Sequence, residues 1–210
     1  MSMAEPIKFF ETITIETPRE SIYRRLGYRK STTVLSSEEK RTVDRVIDHA
    51  RSLVRLKGAA LRAAIEDRDE KTVVLAGGAR FRSSRLAVFL EGCDECLVMG
   101  ATGGGTVMEA IASDTARDNL TEAVIVDAAA SEMVDASLDW ITRYYAGLLR
   151  RERKGLLKRR YSAGYGDFAL EHQHMIYEML DLARLDVTIN EQALLIPEKS
   201  VTAITGIRTL

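Results

Sequence analysis

From position 119 to about 154 the chain carries its longest helical signal, and this segment limits the choice of fold more than any other. Val124, Ala128, Val134, Leu138, Ile141, Tyr145 and Leu148 recur at three- and four-residue steps but for the one from Ala128 to Val134, and no proline or glycine intervenes before Gly147. That spacing gathers apolar side chains on one face of a helix.

The segments around it read as a mixture. Residues 7–15 are rich in Ile, Phe and Thr and predict a strand. Thr17 and Pro18 predict a short helix with Thr17 as its cap and Pro18 at its first position, ended by Gly27. Ser37, followed by Glu38 and Glu39, predicts the cap of a helix running to about Leu56, with Val43, Val46, Ile47, Ala50, Leu53 and Val54 on its apolar face. Residues 59–65 fit a helix by their Ala and Leu content, and fit equally a strand paired with 72–76. Further strands are predicted at 72–76, 95–100, 187–189, 193–196 and 200–207, with helices from Ser83 or Ser84 to Leu90 and over 170–182. Strands and helices do not alternate regularly, so an α+β architecture is expected rather than a doubly wound one. The expected organisation is one domain over 1–210. Its N-terminal strand and helices occupy 1–57, and the core that carries a ligand loop occupies 58–210.

Composition excludes several function classes. Hydrophobic residues make up 46% of the 210, enough for a substantial core. Charged residues make up 29% but nearly cancel, leaving a net charge of -1, unlike a uniformly basic nucleic-acid-binding protein. No apolar run approaches the roughly 20 residues of a membrane span. The first residues, Met-Ser-Met-Ala-Glu-Pro, lack the basic and apolar blocks of a signal peptide. Two cysteines cannot make a disulfide framework. A cytoplasmic protein without nucleic-acid or membrane partners is expected.

Several motifs carry chemistry only weakly. Cys93 and Cys96 form a C-x-x-C, but His49, His172 and His174 lack complementary metal-ligand spacing, and a strand follows where redox chemistry needs a helix. Two small apolar residues at a strand entrance is the preferred reading, and no metal is expected. The run Ala101-Thr102-Gly103-Gly104-Gly105-Thr106 follows a strand and opens a helix, so it can present amides to a phosphate. It matches neither G-x-G-x-x-G nor a Walker loop. A plain turn, or a backbone that lines a pocket built elsewhere, fits it as well. The run Arg150-Arg151-Glu152-Arg153-Lys154 reads as the solvated end of the long helix, with an acidic partner's docking surface as the sharper alternative.

The segment Arg160-Tyr161-Ser162-Ala163-Gly164-Tyr165-Gly166-Asp167 is richer. Gly164 and Gly166 flank Tyr165 and let the backbone turn sharply and approach a ligand. Arg160 offers a forked cation for a carboxylate. Tyr165 offers an aromatic face, against which a sulfonium would gain roughly 0.5–2 kcal/mol. An ordinary glycine-tyrosine turn has the same composition.

This segment, continuing through Phe168 to Leu170-Glu171 and Gln173, resembles the Arg-x-x-Pro-Gly-Tyr loop and following helix of the activation domain of cobalamin-dependent methionine synthase. Leu195-Ile196-Pro197-Glu198-Lys199-Ser200-Val201 is similar to that family's Pro-x-x-Ser-Val strand entry, and Ala101 to Gly104 to its turn after a central strand. The resemblance implies a helmet-shaped α+β fold with a twisted, largely antiparallel sheet flanked by helices. It implies S-adenosylmethionine as the bound donor and a cobalamin supplied by a partner, which the domain caps during repair. There, one-electron reduction of inactive cobalt(II) coupled to methyl transfer restores methylcobalamin. By position, Arg160 would pair with the methionine carboxylate, and Tyr161, Ser162 and Ala163 would contribute backbone contacts. Gly164 and Tyr165 would lie along the ligand, with Tyr165 facing the corrin as the catalytic residue. Ser131-Glu132 resembles the family's Ala-Glu, so Glu132 would neutralise the ligand ammonium. An exposed helix carboxylate fits Glu132 equally.

The chain departs from the family in its N-terminal part, where the acidic ligand region of the long form is not recognisable, and at two single residues. Ala163 stands where proline is usual, and Lys154 stands where an acidic residue is expected six positions before the arginine. No corrinoid-binding Asp-x-His-x-x-Gly motif occurs. The resemblance therefore implies a free-standing subunit whose partners are a cobalamin-dependent methionine synthase or related corrinoid protein, and an electron donor such as a flavodoxin or ferredoxin. A docking module that holds no methyl donor is the alternative, and a phosphate-ligand protein using Gly103 to Gly105 is a third reading.

Overall fold

The computed structural model describes residues 6–29, 33 and 35–210; residues 1–5, which include most of the stretch read above for targeting signals, lie outside them. The chain opens with β1 (Lys8–Phe10), shorter than the strand expected over 7–15, and α1 (Arg19–Arg25). Pro18, not Thr17, occupies the cap position of α1, and Gly27 ends the helix at φ 87°. The cap of helix α2 (Ser37–Leu53) is Ser36, one residue before the Ser37 expected, and Ser36 forms a capping box with Glu39. The Ser36 amide donates to Glu39 Oε2 at 2.8 Å and the Glu39 amide to Ser36 Oγ at 3.2 Å. It stops at Leu53 because Val54 is already extended.

The ambiguous segment is a strand. It lies within β2 (Lys57–Arg68), which pairs with β3 (Thr72–Leu75), and β4 (Arg80–Arg82) follows. Sheet pairing overrides the helix propensity of its alanines. A Cβ on neighbouring Gly58 would sit 2.9 Å from Ile141 Cδ1 and 3.0 Å from the Gly100 carbonyl oxygen, so a helix and a strand close tightly there. After α3 (Ser84–Phe89) comes β5 (Glu95–Thr102), then α4 (Thr106–Ala116) and the long α5 (Leu120–Leu149). The chain continues through β6 (Lys154–Leu156), α6 (His172–Met179), the small hairpin β7 (Thr188–Ile189) and β8 (Leu195–Ile196), and β9 (Ser200–Thr209).

The main sheet has seven strands in the order β4-β3-β2-β5-β9-β6, with β1 also paired to β2. Each pairing is antiparallel. Strand β5 runs through its middle, and its alternating side chains feed two cores. Leu97, Met99 and Ala101 join the cluster under α1, α2 and α5. Cys96 and Val98 join the cluster containing Phe81, Leu86, Phe168 and Ile176. Burial on both faces explains why this strand reads as a continuous apolar run. In α5, Val126, Ala130, Met133, Leu138 and Ile141 are buried, whereas Val124 and Leu148, expected on the apolar face, are exposed.

The basic run after α5 is not a continuation of the helix. Arg150–Glu152 forms one turn of 3-10 helix, Arg153 is left-handed at φ 56°, and Lys154 begins β6. Lys154 and Arg62 both pair with Glu95, and Arg62 also forks onto Glu152 at 2.8 and 2.6 Å. These ionic contacts tie β2, β5 and β6 together. The two hydrogen bonds from Arg62, followed by the one from Lys154, hold the Glu95 carboxyl below its usual range despite its burial. Among the described residues no helix is long and apolar enough to cross a membrane.

Candidate functional site

The loop after β6 is stitched to the sheet before it turns. Tyr161 and Ile204 exchange backbone hydrogen bonds, each 2.8 Å, so the Tyr161 amide is committed to the sheet. The Tyr161 ring stacks between Phe89, at 5.7 Å, and buried Phe168, at 6.0 Å, and Phe168 stacks in turn on His172 at 5.1 Å. Gly164, at φ 88°, donates its amide to the Phe168 carbonyl at 2.7 Å. The Tyr161 hydroxyl donates to the Tyr165 carbonyl at 3.2 Å, leaving the Tyr165 side chain at the crest, 68% exposed. Gly166, at φ 62°, lies so close to Tyr161 and Arg85 that a Cβ would meet the Tyr161 hydroxyl at 2.7 Å. Ala163 is buried behind the turn.

Asp167 closes the loop against the start of α3. Its carboxylate accepts from the Ser83 hydroxyl at 2.5 Å, from the Ser84 amide at 2.8 Å, and from the Ser84 hydroxyl and Arg85 amide. The Ser83 and Ser84 hydroxyls, then the backbone amides, hold its pKa far below the usual carboxylate range. A depressed folded pKa stabilises the native state in full above the unfolded value, and the contribution is lost as pH falls toward the folded value. The melting-temperature gap between the parent and Asp167→Asn is therefore expected to be widest at neutral pH and to narrow below about pH 4. Thermal melts across that range check it, and a gap that is constant down to pH 2 rejects the anchoring role.

Opposite the loop lies one stripe of α5. Glu132, Asp135 and Asp139 follow at steps of three and four, which puts them on a common face. Arg160 Nη2 donates to Asp135 at 3.0 Å, and Nη1 donates to Asp139. Glu132 pairs with Arg25 of α1 at 3.1 Å. Between loop and helix is a cleft of about 590 Å³ lined by Asp135, Asp139, Thr142, Leu157, Lys158, Arg159, Arg160, Tyr161, Ser162 and Tyr165. Asp135 also borders an adjoining hollow of about 420 Å³, lined by Arg25, Ser131, Glu132, Val134, Glu198, Lys199, Ser200 and Val201. Lys199 Nζ is tied to Asp127 at 2.6 Å and to the Ser131 hydroxyl at 3.0 Å.

Four of the loop residues singled out from sequence, Arg160, Tyr161, Ser162 and Tyr165, thus line one cleft, and Glu132 lines its neighbour. Sequence reasoning missed Asp135, Asp139, Arg25 and Lys199. The helical step from Glu132 pointed to the two aspartates and Lys199 lies inside the segment 195–201, whereas no local signal points to Arg25. The phosphate reading of the glycine turn is not supported. The Gly103 amide donates to the Lys199 carbonyl at 2.7 Å and the Gly104 amide to Thr102 Oγ1 at 3.2 Å, so neither is free to cradle an anion. The turn instead backs the hollow, since a Cβ on Gly103 would sit 3.1 Å from Val134 Cγ2 and 3.6 Å from Lys199 Cβ. Lys154, the departure before the arginine, is directed at Glu95. Cys93 and Cys96 are both buried, and burial pushes both thiols up, away from the reactive thiolate. A hollow of about 660 Å³ between α1 and α2 contains none of the residues expected to bind the ligand.

The open antiparallel sheet with helices packed on both faces is a fold that the chain shares with a methionine synthase reactivation domain. Among solved structures, the chain is similar to the MetH reactivation domain bound to AdoHcy, with a TM-score of 0.66 over 96% of this chain and 78% of that one. Sequence identity is 13%, so the likeness is one of fold. No protein-family model matches the sequence, and no curated protein matches it.

Proposed function

We propose that the chain binds S-adenosylmethionine in the cleft between the 160–167 loop and α5, and acts as the reactivation component for a cobalamin-dependent methionine synthase carried on another protein. The observation that carries this reading is the convergence of Arg160, Tyr161, Ser162 and Tyr165 on one cleft, in a fold whose solved neighbour holds AdoHcy. The volume, about 590 Å³, suits a ligand of this size. Arg160 binds the α-carboxylate with the donors that Asp135 and Asp139 leave uncommitted. Glu132 lies in the adjoining hollow, where it is shared with Arg25. Tyr165, exposed at the crest, offers its ring to the sulfonium and its outer face to the partner. The partner's cobalamin supplies the methyl-accepting metal, and an electron donor such as a flavodoxin or ferredoxin supplies the reducing electron. The chain's own residues bind and orient the donor.

The pairing of Arg160 with two carboxylates favours a second reading, a docking module for a corrinoid methyltransferase that binds no methyl donor. Calorimetric titration with S-adenosylmethionine, with and without a cobalamin-loaded methionine synthase, separates the two. Saturable heat at one site per chain is expected. Absence of heat in both arms, together with a stable complex between the proteins, would select the docking module.

A further inference from the structure

Five charged side chains line the cleft: the cations Lys158, Arg159 and Arg160, and the anions Asp135 and Asp139. Lys158 and Arg159 are exposed at the rim, whereas only 21% of the Arg160 side chain is exposed. Stripped of the aspartates, this would be a phosphate site, with a forked guanidinium inside and two further cations at the mouth. The aspartates change that. They engage one N–H on each terminal nitrogen of Arg160 and leave the remaining three of its five donors without a partner among the described residues. A phosphate reaching those donors would bring two or more negative charges beside two carboxylates, and such like-charge contact is a strong means of rejecting a ligand. A zwitterionic amino acid fits both halves, its carboxylate on Arg160 and its ammonium on an aspartate.

Resting on the donor-binding reading above, we infer that Asp135 and Asp139 are the specificity-determining residues of the cleft, admitting adenosyl ligands that end in an α-amino acid and rejecting those that end in phosphate. The test is binding of S-adenosylmethionine and of metal-free ATP to the full chain, as parent, Asp135→Asn/Asp139→Asn and Asp135→Glu/Asp139→Glu. The parent is expected to bind S-adenosylmethionine and not ATP. The asparagine pair loses about tenfold or more in affinity for S-adenosylmethionine and gains ATP binding, while the glutamate pair keeps the parent's preference. Both aspartates are more than half exposed, at 57% and 58%, so the fold is expected to survive, with circular dichroism as the check. If the double variant does not fold, the single asparagine variants decide on the same readouts. A folded asparagine variant that binds S-adenosylmethionine as the parent does, or still rejects ATP, overturns the inference, as does a parent that binds both ligands. A parent that binds neither overturns the donor reading itself, and this inference with it.

Discussion

Arg160→Ala is expected to lose affinity for S-adenosylmethionine by on the order of 100-fold, read by titration calorimetry against the parent. A charge-assisted hydrogen bond to a carboxylate contributes about 1.5–3 kcal/mol, and each 1.4 kcal/mol is tenfold in affinity. The alanine variant has a second handicap. Asp135 and Asp139 remain on α5 without the cation that neutralised them, so an incoming carboxylate meets two uncompensated anions. Arg160→Lys is expected to fall between, because a point charge cannot hold two aspartates and a ligand in the fixed fork of a guanidinium. Stability should change by less than about 1 kcal/mol in either variant, since both aspartates are more than half exposed and such pairs contribute little. Parent-like affinity in the alanine variant would remove Arg160 from the carboxylate role.

The second large effect is on stability. Glu95→Ala is expected to lower the melting temperature by on the order of 10 °C, from a loss of about 3 kcal/mol. Arg62, Glu95 and Lys154 sit at 12%, 17% and 26% side-chain exposure, so removing the carboxylate strands cations that water reaches poorly. Glu152 keeps part of the compensation through its fork with Arg62, which is why the loss is not larger. The depressed Glu95 carboxyl gives the effect a pH signature. Its stabilisation is complete above the ordinary glutamate range and is lost as pH falls below it, so parent and variant melting temperatures should draw together in acid. A variant that melts within 2 °C of the parent at neutral pH, on the order of 1 kcal/mol, would show the ionic contacts to be ornamental.

Much of this was legible in the amino-acid order because it rests on local rules. The long α5 follows from three- and four-residue apolar steps, and the loop's glycines stand where φ is positive. What escaped depends on contacts distant in sequence. Residues 59–65 could not be assigned to helix or strand without their neighbours, since their strand pairing comes from β5 on one side and from β1 and β3 on the other. The run 150–154 reads as helix until Lys154 meets Glu95, 59 residues away. The glycine turn reads as a possible phosphate loop until the Gly103 amide meets the Lys199 carbonyl, from the far end of the chain, and the Gly104 amide meets Thr102 Oγ1. In the candidate site, the loop and Glu132 were readable as motifs, whereas Asp135 and Asp139 were not, because scattered aspartates on an exposed helix face resemble ordinary solvated charge. Arg25 lies 107 positions from its partner Glu132, and no local pattern leads to it.

Both ends of the 160–167 loop are fastened, at Tyr161 to β9 and at Asp167 to the start of α3, with the stacked Tyr161 and Phe168 rings between. A segment held this way has already given up its conformational freedom during folding. A molecule that settles against Tyr165 does not have to order the backbone beneath it, and ordering costs of that kind otherwise erode binding free energy. Preorganisation of the loop thus leaves the intrinsic strength of a few contacts to decide affinity, and makes those contacts readable one substitution at a time.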